Sequence, residues 1–195
     1  MPRASAADAA MTAERILRSA LTRFSEHGFA GTSVDDVAAD AAVTRGAVYH
    51  HYRSKTGLFL AVVSRMQQDV AHAVVAAVRD PDPVAALRAG SHAFLDAITE
   101  AGRARVLLID GPAALGWSAW RRADAEASAV HLREALVDVG VPTDAVDATT
   151  ALLSGAMNEA ALWLVESGAD ATSRRSVHDA LDGMLVAVAA SSHRT

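Results

Sequence analysis

Cysteine is absent from this 195-residue chain, which excludes disulfides, thiolate metal sites and a cysteine nucleophile together. Aromatic residues are scarce at 5%, although 51% of the chain is hydrophobic. The apolar content is therefore carried by Ala, Val and Leu, and helices are favoured over sheets. No stretch alternates apolar and polar residues strictly enough for a strand. No uncharged apolar run reaches 18 residues, and the Ala-rich N-terminus carries Arg3, Asp8, Glu14, Arg15 and Arg18 in quick succession. That excludes a membrane span and a signal peptide, so a soluble cytoplasmic protein without a membrane partner is expected. The histidines are scattered, with no HExxH and no pair four residues apart, and the adjacent His50 and His51 point to two faces. No glycine-rich phosphate loop occurs, and Ser, His and Asp appear only as isolated residues without a catalytic frame. Neither a metal, nor a cofactor, nor an enzyme activity is expected.

Charge is divided unevenly. Residues 1–55 hold 7 Lys and Arg against 6 Asp and Glu, net +1, whereas residues 56–195 hold 11 against 17, net −6, which together give the −5 of the whole chain. Only the first segment is not acidic, and its central stretch from Thr32 to Lys55 is laid out for nucleic acid. Ser33 is an N-cap answered by Asp36 in a capping box, so a helix begins at Val34, with Val34, Val37, Ala38 and Ala41 on one apolar stripe. Thr44 then caps a second short helix over Arg45 to about His51, with Val43 as a hydrophobic staple on Val48. Two helices this short joined by so brief a turn form a helix-turn-helix. Its second helix enters the major groove N-terminus first, presenting Thr44, Arg45, Gly46, Ala47 and the outward Tyr49 and His50. Arg45 and Lys55 stand at helix N-termini, where a cation opposes the macrodipole by roughly 0.3–1 kcal/mol. A phosphate at those ends would reverse the sign of that penalty.

The order Gly28-x-x-Gly31-Thr32-Ser33-Val34-x-Asp36-Val37-Ala38, continuing through Val43-Thr44-Arg45-Gly46-Ala47-Val48-Tyr49 to His51-Tyr52-x-Ser54-Lys55 and Leu58, resembles the DNA-binding domain of TetR-type transcriptional repressors. The resemblance covers about His27 to Phe59. It implies a three-helix DNA-binding head, a ligand-binding helical body and a homodimer. By the family's motif Arg45, Ala47, Tyr49 and His50 fall at recognition-helix positions, while Thr32, Tyr52 and Lys55 fall where phosphates are met. With neighbouring Thr44 on the base-reading side and Ser33 and His51 on the phosphate side, these make up the expected DNA contacts. Ala42 stands where the family usually has Gly, and costs about 1 kcal/mol if the turn needs a left-handed residue there.

The rest of the chain reads as helices. Residues 1–10 are expected to be disordered, and a helix from about Thr12 runs along Ile16, Leu17, Ala20, Leu21 and Phe24 to a left-handed cap at Gly28. After Ser54 a helix of roughly 25 residues runs from the head to Asp80-Pro81-Asp82-Pro83. Asp82 and Pro83 then start another. A short apolar helix, Arg103 to Ile109, is expected to break at the turn Asp110-Gly111-Pro112. One long helix from Ala113 to Val139, irregular around Gly116, follows. Thr143 caps a helix over Val146 to Ser167, and a last one covers Ser173 to Ala190. The fold is all-α, about nine helices, divided as a head over residues 11–55 and a body over 56–195.

In the body, Met66, Ser91, His92, Phe94, Ile98, Trp117, Trp120, Asn158 and Trp163 are the candidate walls of a ligand pocket, with plain core packing as the competing reading. The broad stripes of the last two helices, Leu153, Met157, Ala160 and Leu164 with Val177, Leu181, Met184 and Leu185, suit a four-helix homodimer interface. The expected function is a ligand-responsive transcriptional repressor, with a palindromic duplex DNA operator, a small-molecule effector and a second copy as partners. The alternatives are a small helical enzyme or carrier with a Trp-lined cavity, and an architectural DNA protein without a ligand.

Overall fold

The computed structural model describes residues 6–100, 102–124 and 129–192, and all regular structure among them is helical. The head contains α1 (Ala6–Gly31), α2 (Val34–Asp40) and α3 (Arg45–Tyr52), and α4 (Lys55–Ala77) leaves it for the body. The body comprises α5 (Pro83–Ile98), a π-helical turn Arg105–Asp110, α6 (Gly111–Leu115), α7 (Trp117–Asp124), α8 (Val130–Asp138), α9 (Val146–Glu166) and α10 (Ala171–Ser192). Residues 6–10, expected to be disordered, belong to α1, because the Ala-rich run is the best helix former and Asp8 lies in the positively polarised first turn; residues 1–5 of that segment lie outside the described residues.

Gly28 interrupts α1 with φ 71° and ψ 178°, a conformation only glycine adopts readily. A Cβ there would also collide with Arg105 and Asp110 of the body. The kink turns Phe29 back onto the head, where it stacks 6.1 Å from Phe24 and meets Phe59 edge-on at 4.9 Å. Phe24 and Phe59 are fully buried and 4.9 Å apart. Burying each such ring contributes up to about 3 kcal/mol.

At 23 residues, α4 is about 35 Å long. Leu58, Phe59 and Val62 of its first half close the head core, and Met66 and Val70 continue the buried stripe toward the body, where α4 packs along α5. The body helices depart from expectation at three points. Asp110-Gly111-Pro112 is not a turn: the helix runs through it in wider register, the Gly111 N–H reaching back to the Val106 carbonyl. Pro112 has no N–H, so in that register the Leu107 carbonyl has no backbone partner, and the Trp120 indole N–H fills it at 2.6 Å.

The expected long helix from Ala113 to Val139 is instead divided, because Gly116 at φ 82° ends α6 and its carbonyl starts α7; residues 125–128 lie outside the described residues. Thr143 does not cap α9. Backbone bonds from Ala145 and Val146 to the Pro142 carbonyl begin that helix. The last helix starts two residues before Ser173 because the Asp170 carboxylate accepts from the Thr172 and Ser173 amides.

Candidate nucleic-acid interface and body cavity

The helix-turn-helix is assembled by local caps. Ser33 Oγ accepts from the Asp36 amide at 3.1 Å while the Asp36 carboxylate accepts from Ser33 N–H and Oγ, an arrangement that holds Asp36 below its usual carboxylate range. Arg23 grips Asp40 at the other end of α2 through Nε at 2.5 Å and Nη2 at 2.9 Å. Thr44 Oγ1 accepts from Ala47 N–H at 3.2 Å to start α3, and Val48 pins the helix on the core. Between the helices Ala42 has φ 50°, so the turn does use a left-handed residue and carries the methyl group at a cost of about 1 kcal/mol.

The first turn of α3 is open to solvent. Arg45 keeps 59% of its side chain exposed, donates to Asp35 at 2.8 Å and to the Tyr49 hydroxyl at 3.3 Å, and lies 5.4 Å from the Tyr49 ring centre. These two partners hold the guanidinium across the exposed turn and raise its pKa further, Tyr49 more than Asp35. Thr44, Gly46 and His50 are exposed and Ala47 half-exposed, so of the residues expected to read bases these are open to solvent. Tyr49 is half-buried against the core.

The expected phosphate contacts divide. Thr32 is 2% exposed, with its hydroxyl turned onto the carbonyls of Gly28 and Arg23. The Tyr52 hydroxyl donates to the Ala13 carbonyl at 2.8 Å, tying α3 to α1, and burial, then Glu14, push its pKa up. Both hydroxyl protons, assigned to phosphates from the sequence, are engaged inside the head. Ser33 Oγ is likewise committed to Asp36. The remaining two are half-buried: His51, whose ring sits 5.3 Å from that of His50, and Lys55, whose Nζ lies 4.5 Å over the Phe29 ring. Lys55 opens α4 after Ser54, whose Oγ accepts from Gly57 N–H. Gly57 is required there, since a Cβ would strike the Tyr52 carbonyl. Arg53, not singled out from the sequence, is exposed with φ 68° on the same rim; its place in the run Tyr52-Arg53-Ser54-Lys55 was the available signal.

In the body a cavity of about 630 Å³ lies between the end of α4, α5, α8 and α9. Of the nine expected pocket residues, only Ser91 and Phe94 line it, and Met157, assigned to the dimer interface, joins them. Met66 and Ile98 belong to the core. His92 faces α10, 2.8 Å from Asp182 and stacked 4.2 Å from His178; one residue along a helix is a 100° turn away from Ser91. Trp117 is 64% and Trp163 47% exposed, Trp120 is taken by Leu107, and Asn158 lies elsewhere on α9 with its Oδ1 unpartnered. No Trp lines the cavity, so the carrier or enzyme alternative loses the feature on which it stood.

The stripes assigned to dimerisation mostly face the chain's own core. Leu153, Met157, Leu164, Leu181 and Leu185 are buried within one chain, Ala160 and Val177 are half-buried, and Met184 alone is exposed. Periodicity identified the inward stripe, because that stripe is the more strongly apolar. The outward apolar residues are instead Leu152, Trp163 and Val165 on α9, with Met184 and Val186 on α10.

No group of three or more His, Asp or Glu among the described residues is placed to hold a metal ion, and no helix among them is long and apolar enough to cross a membrane. Residues 16–62 match the family model for bacterial regulatory proteins, tetR family, and residues 84–188 match that for the tetracyclin repressor-like C-terminal domain. The transcriptional regulator AcrR of Shigella flexneri is 42% identical over 59 residues, 30% of this chain and 27% of that protein. The transcriptional repressor AcnR of Corynebacterium diphtheriae is 35% identical over 85 residues, 41% of this chain and 45% of that protein. The chain thus spans less than half the length of these curated relatives. The crystal structure of a TetR-family transcriptional regulator from Pectobacterium atrosepticum is 30% identical, with 95% of each chain covered and a TM-score of 0.69.

Proposed function

Because the chain belongs to the TetR family of DNA-binding transcriptional regulators, we propose that it is a repressor that binds a palindromic operator as a homodimer and is released by a small molecule held in the body cavity. The observation that carries this reading is the exposed first turn of α3, where Thr44, Arg45, Gly46 and Ala47 stand clear of the core with small residues beside a held guanidinium. Close approach to base edges needs that combination. The nearly neutral head on an acidic body makes affinity depend on a few placed contacts, chiefly Arg45, His50, His51 and Lys55, rather than on bulk charge. The second copy docks on Leu152, Trp163, Met184 and Val186, where open space above Gly155 and Gly183 admits a close helix crossing.

Selection of bound duplexes from a random pool tests the DNA half: a palindrome is expected, and an asymmetric or absent consensus overturns it. Arg45→Ala should weaken the selected site by roughly 1–3 kcal/mol relative to random duplex if it reads guanine. Light scattering tests the dimer half, with a mass twice 20.3 kDa expected and a shift to monomer in Leu152→Arg. The expected site of action is the cytoplasm, where an operator is reached.

A further inference from the structure

We propose that the body cavity selects an amphiphile with a cationic head and an apolar body, a ligand class that rests on reading the cavity as the effector site. The polar groups of the cavity fall into two sets at different depths. Deep in the wall, Ser91 on α5 and Ser154 on α9 are 4% and 7% exposed, and neither hydroxyl makes a hydrogen bond within the described residues. Unlike Asn158 Oδ1, neither oxygen is sealed off, so both are open to the cavity and placed to receive a ligand's polar atom or a bridging water. At the mouth stand the exposed carboxylates Asp80, Glu134 and Asp138, and no Lys or Arg lines the cavity among the described residues. Glu134 has His131 at 3.5 Å. Asp80 and Asp138 have no cation within ion-pair distance in the described chain.

The two sets are separated by apolar wall. Pro83 opens α5 at the mouth, Ser91 lies eight residues on and Phe94 eleven, which is about 12 Å and 16 Å along the helix. Leu87, Leu132 and Met157 fill the interval. On α8, Glu134 and Asp138 are four residues apart, on one helical face at the rim. A cation seated there stays in contact with water, so its charge is not desolvated while the body of the ligand covers apolar surface. An anion in the same pose meets three carboxylates. A volume of about 630 Å³ is in the range of drug-sized ligands.

The experiment titrates the full-length protein with decyltrimethylammonium, decanoate and 1-decanol, each below its aggregation limit, by calorimetry at low and high salt. The cation should bind at least tenfold more tightly than decanoate at low salt, and the gap should narrow as salt screens the mouth. Each of Glu134→Gln and Asp138→Asn should weaken the cation up to about fivefold, the ordinary range for one exposed ion pair, and leave 1-decanol unchanged. Both sites are exposed, so folding is not at risk, and thermal melting verifies it. If decanoate or 1-decanol binds as tightly as the cation, or if the two substitutions leave the cation untouched, the cationic class is overturned while the cavity stands as a ligand site. If none of the probes binds, or Ala135→Trp in a folded protein leaves all affinities intact, the cavity is not the site and the proposal falls with it. Cation binding that fails to release operator DNA overturns the effector reading alone and leaves the ligand class supported.

Discussion

The head and the body use their aromatic residues in opposite ways. Three of the chain's four Phe, at positions 24, 29 and 59, interlock in the head with ring centres 4.9–6.1 Å apart. Two of its three Trp, at positions 117 and 163, are 64% and 47% exposed on the body. The helix starts differ as well: α2, α3 and α4 are each capped by a Ser or Thr side chain, whereas in the body α5 and α10 start on the carboxylates of Asp82 and Asp170 and α6, α8 and α9 have no side-chain cap. The head therefore satisfies its own surface and presents a rigid edge. The body exposes apolar surface and encloses a cavity, the features on which the proposed partner and ligand would act.

The strongest challenge to that contrast is a pair of truncations. Phe24→Ala removes a fully buried ring from the three-Phe cluster and should cost about 3–5 kcal/mol. Trp163→Ala should change monomer stability by no more than about 0.5 kcal/mol while making the unfolding midpoint less dependent on protein concentration. Chemical unfolding at two protein concentrations separates the two effects, and equal losses would remove the contrast.

Next in size is Lys55→Ala, which tests whether the rigid edge meets phosphates. Affinity for operator and random duplex should fall alike, and the slope of log affinity against log salt should drop by about 1. A loss confined to the operator would move Lys55 among the base readers. The alternative role for this lysine is packing, since its ammonium lies over Phe29, a half-buried contact of roughly 0.5–1 kcal/mol. That loss would appear in stability and not in the salt slope.

What could be read in advance follows the same division. The Ser33–Asp36 capping box, the Thr44 cap, the Ser54 start and the Asp82-Pro83 entry are contacts within three residues, so residue order alone expresses them. The inward turn of Thr32 and Tyr52 depends on carbonyls of α1, 4 to 39 residues away, and was not legible. Likewise the passage of a helix through Pro112 depends on the indole of Trp120 arriving to satisfy Leu107. The cavity is defined by segments from α4 to α9, and only Ser91 and Phe94 of its wall were anticipated.

A smaller effect concerns the one departure from the family's turn. Ala42 at φ 50° is strained where glycine would not be, so Ala42→Gly should stabilise the head by no more than about 0.5 kcal/mol, the strain of about 1 kcal/mol less the roughly 0.5–1 kcal/mol of entropy that glycine adds to the unfolded chain. A rise in the thermal midpoint is expected. A fall would mean that the methyl group packs favourably enough to outweigh its backbone strain.

A pH-dependent effect lies in the body, at the seam between α5 and α10. His178 stacks on His92 with ring centres 4.2 Å apart, and its buried Nε2 lies 3.5 Å from Asp96 without forming a hydrogen bond. Asp182 holds His92 and Arg88, and Arg174 reaches Asp96 and Thr99. Burial first, then the neighbouring His92, lower the pKa of His178 below 6.5, and the carboxylates of Asp96 and Asp182 only partly oppose them. Below that value the unfolded chain takes up a proton that the folded chain resists. Stability is thus fully present above pH 6.5 and falls as the pH drops from there toward the lowered folded pKa, by at most about 1.4 kcal/mol per pH unit. His178→Gln should flatten denaturant-unfolding stability between pH 7 and pH 5, with little change at pH 8. An undiminished slope would assign the acid sensitivity to another group, and a slope of opposite sign would mean that Asp96 and Asp182, rather than burial and His92, govern this imidazole.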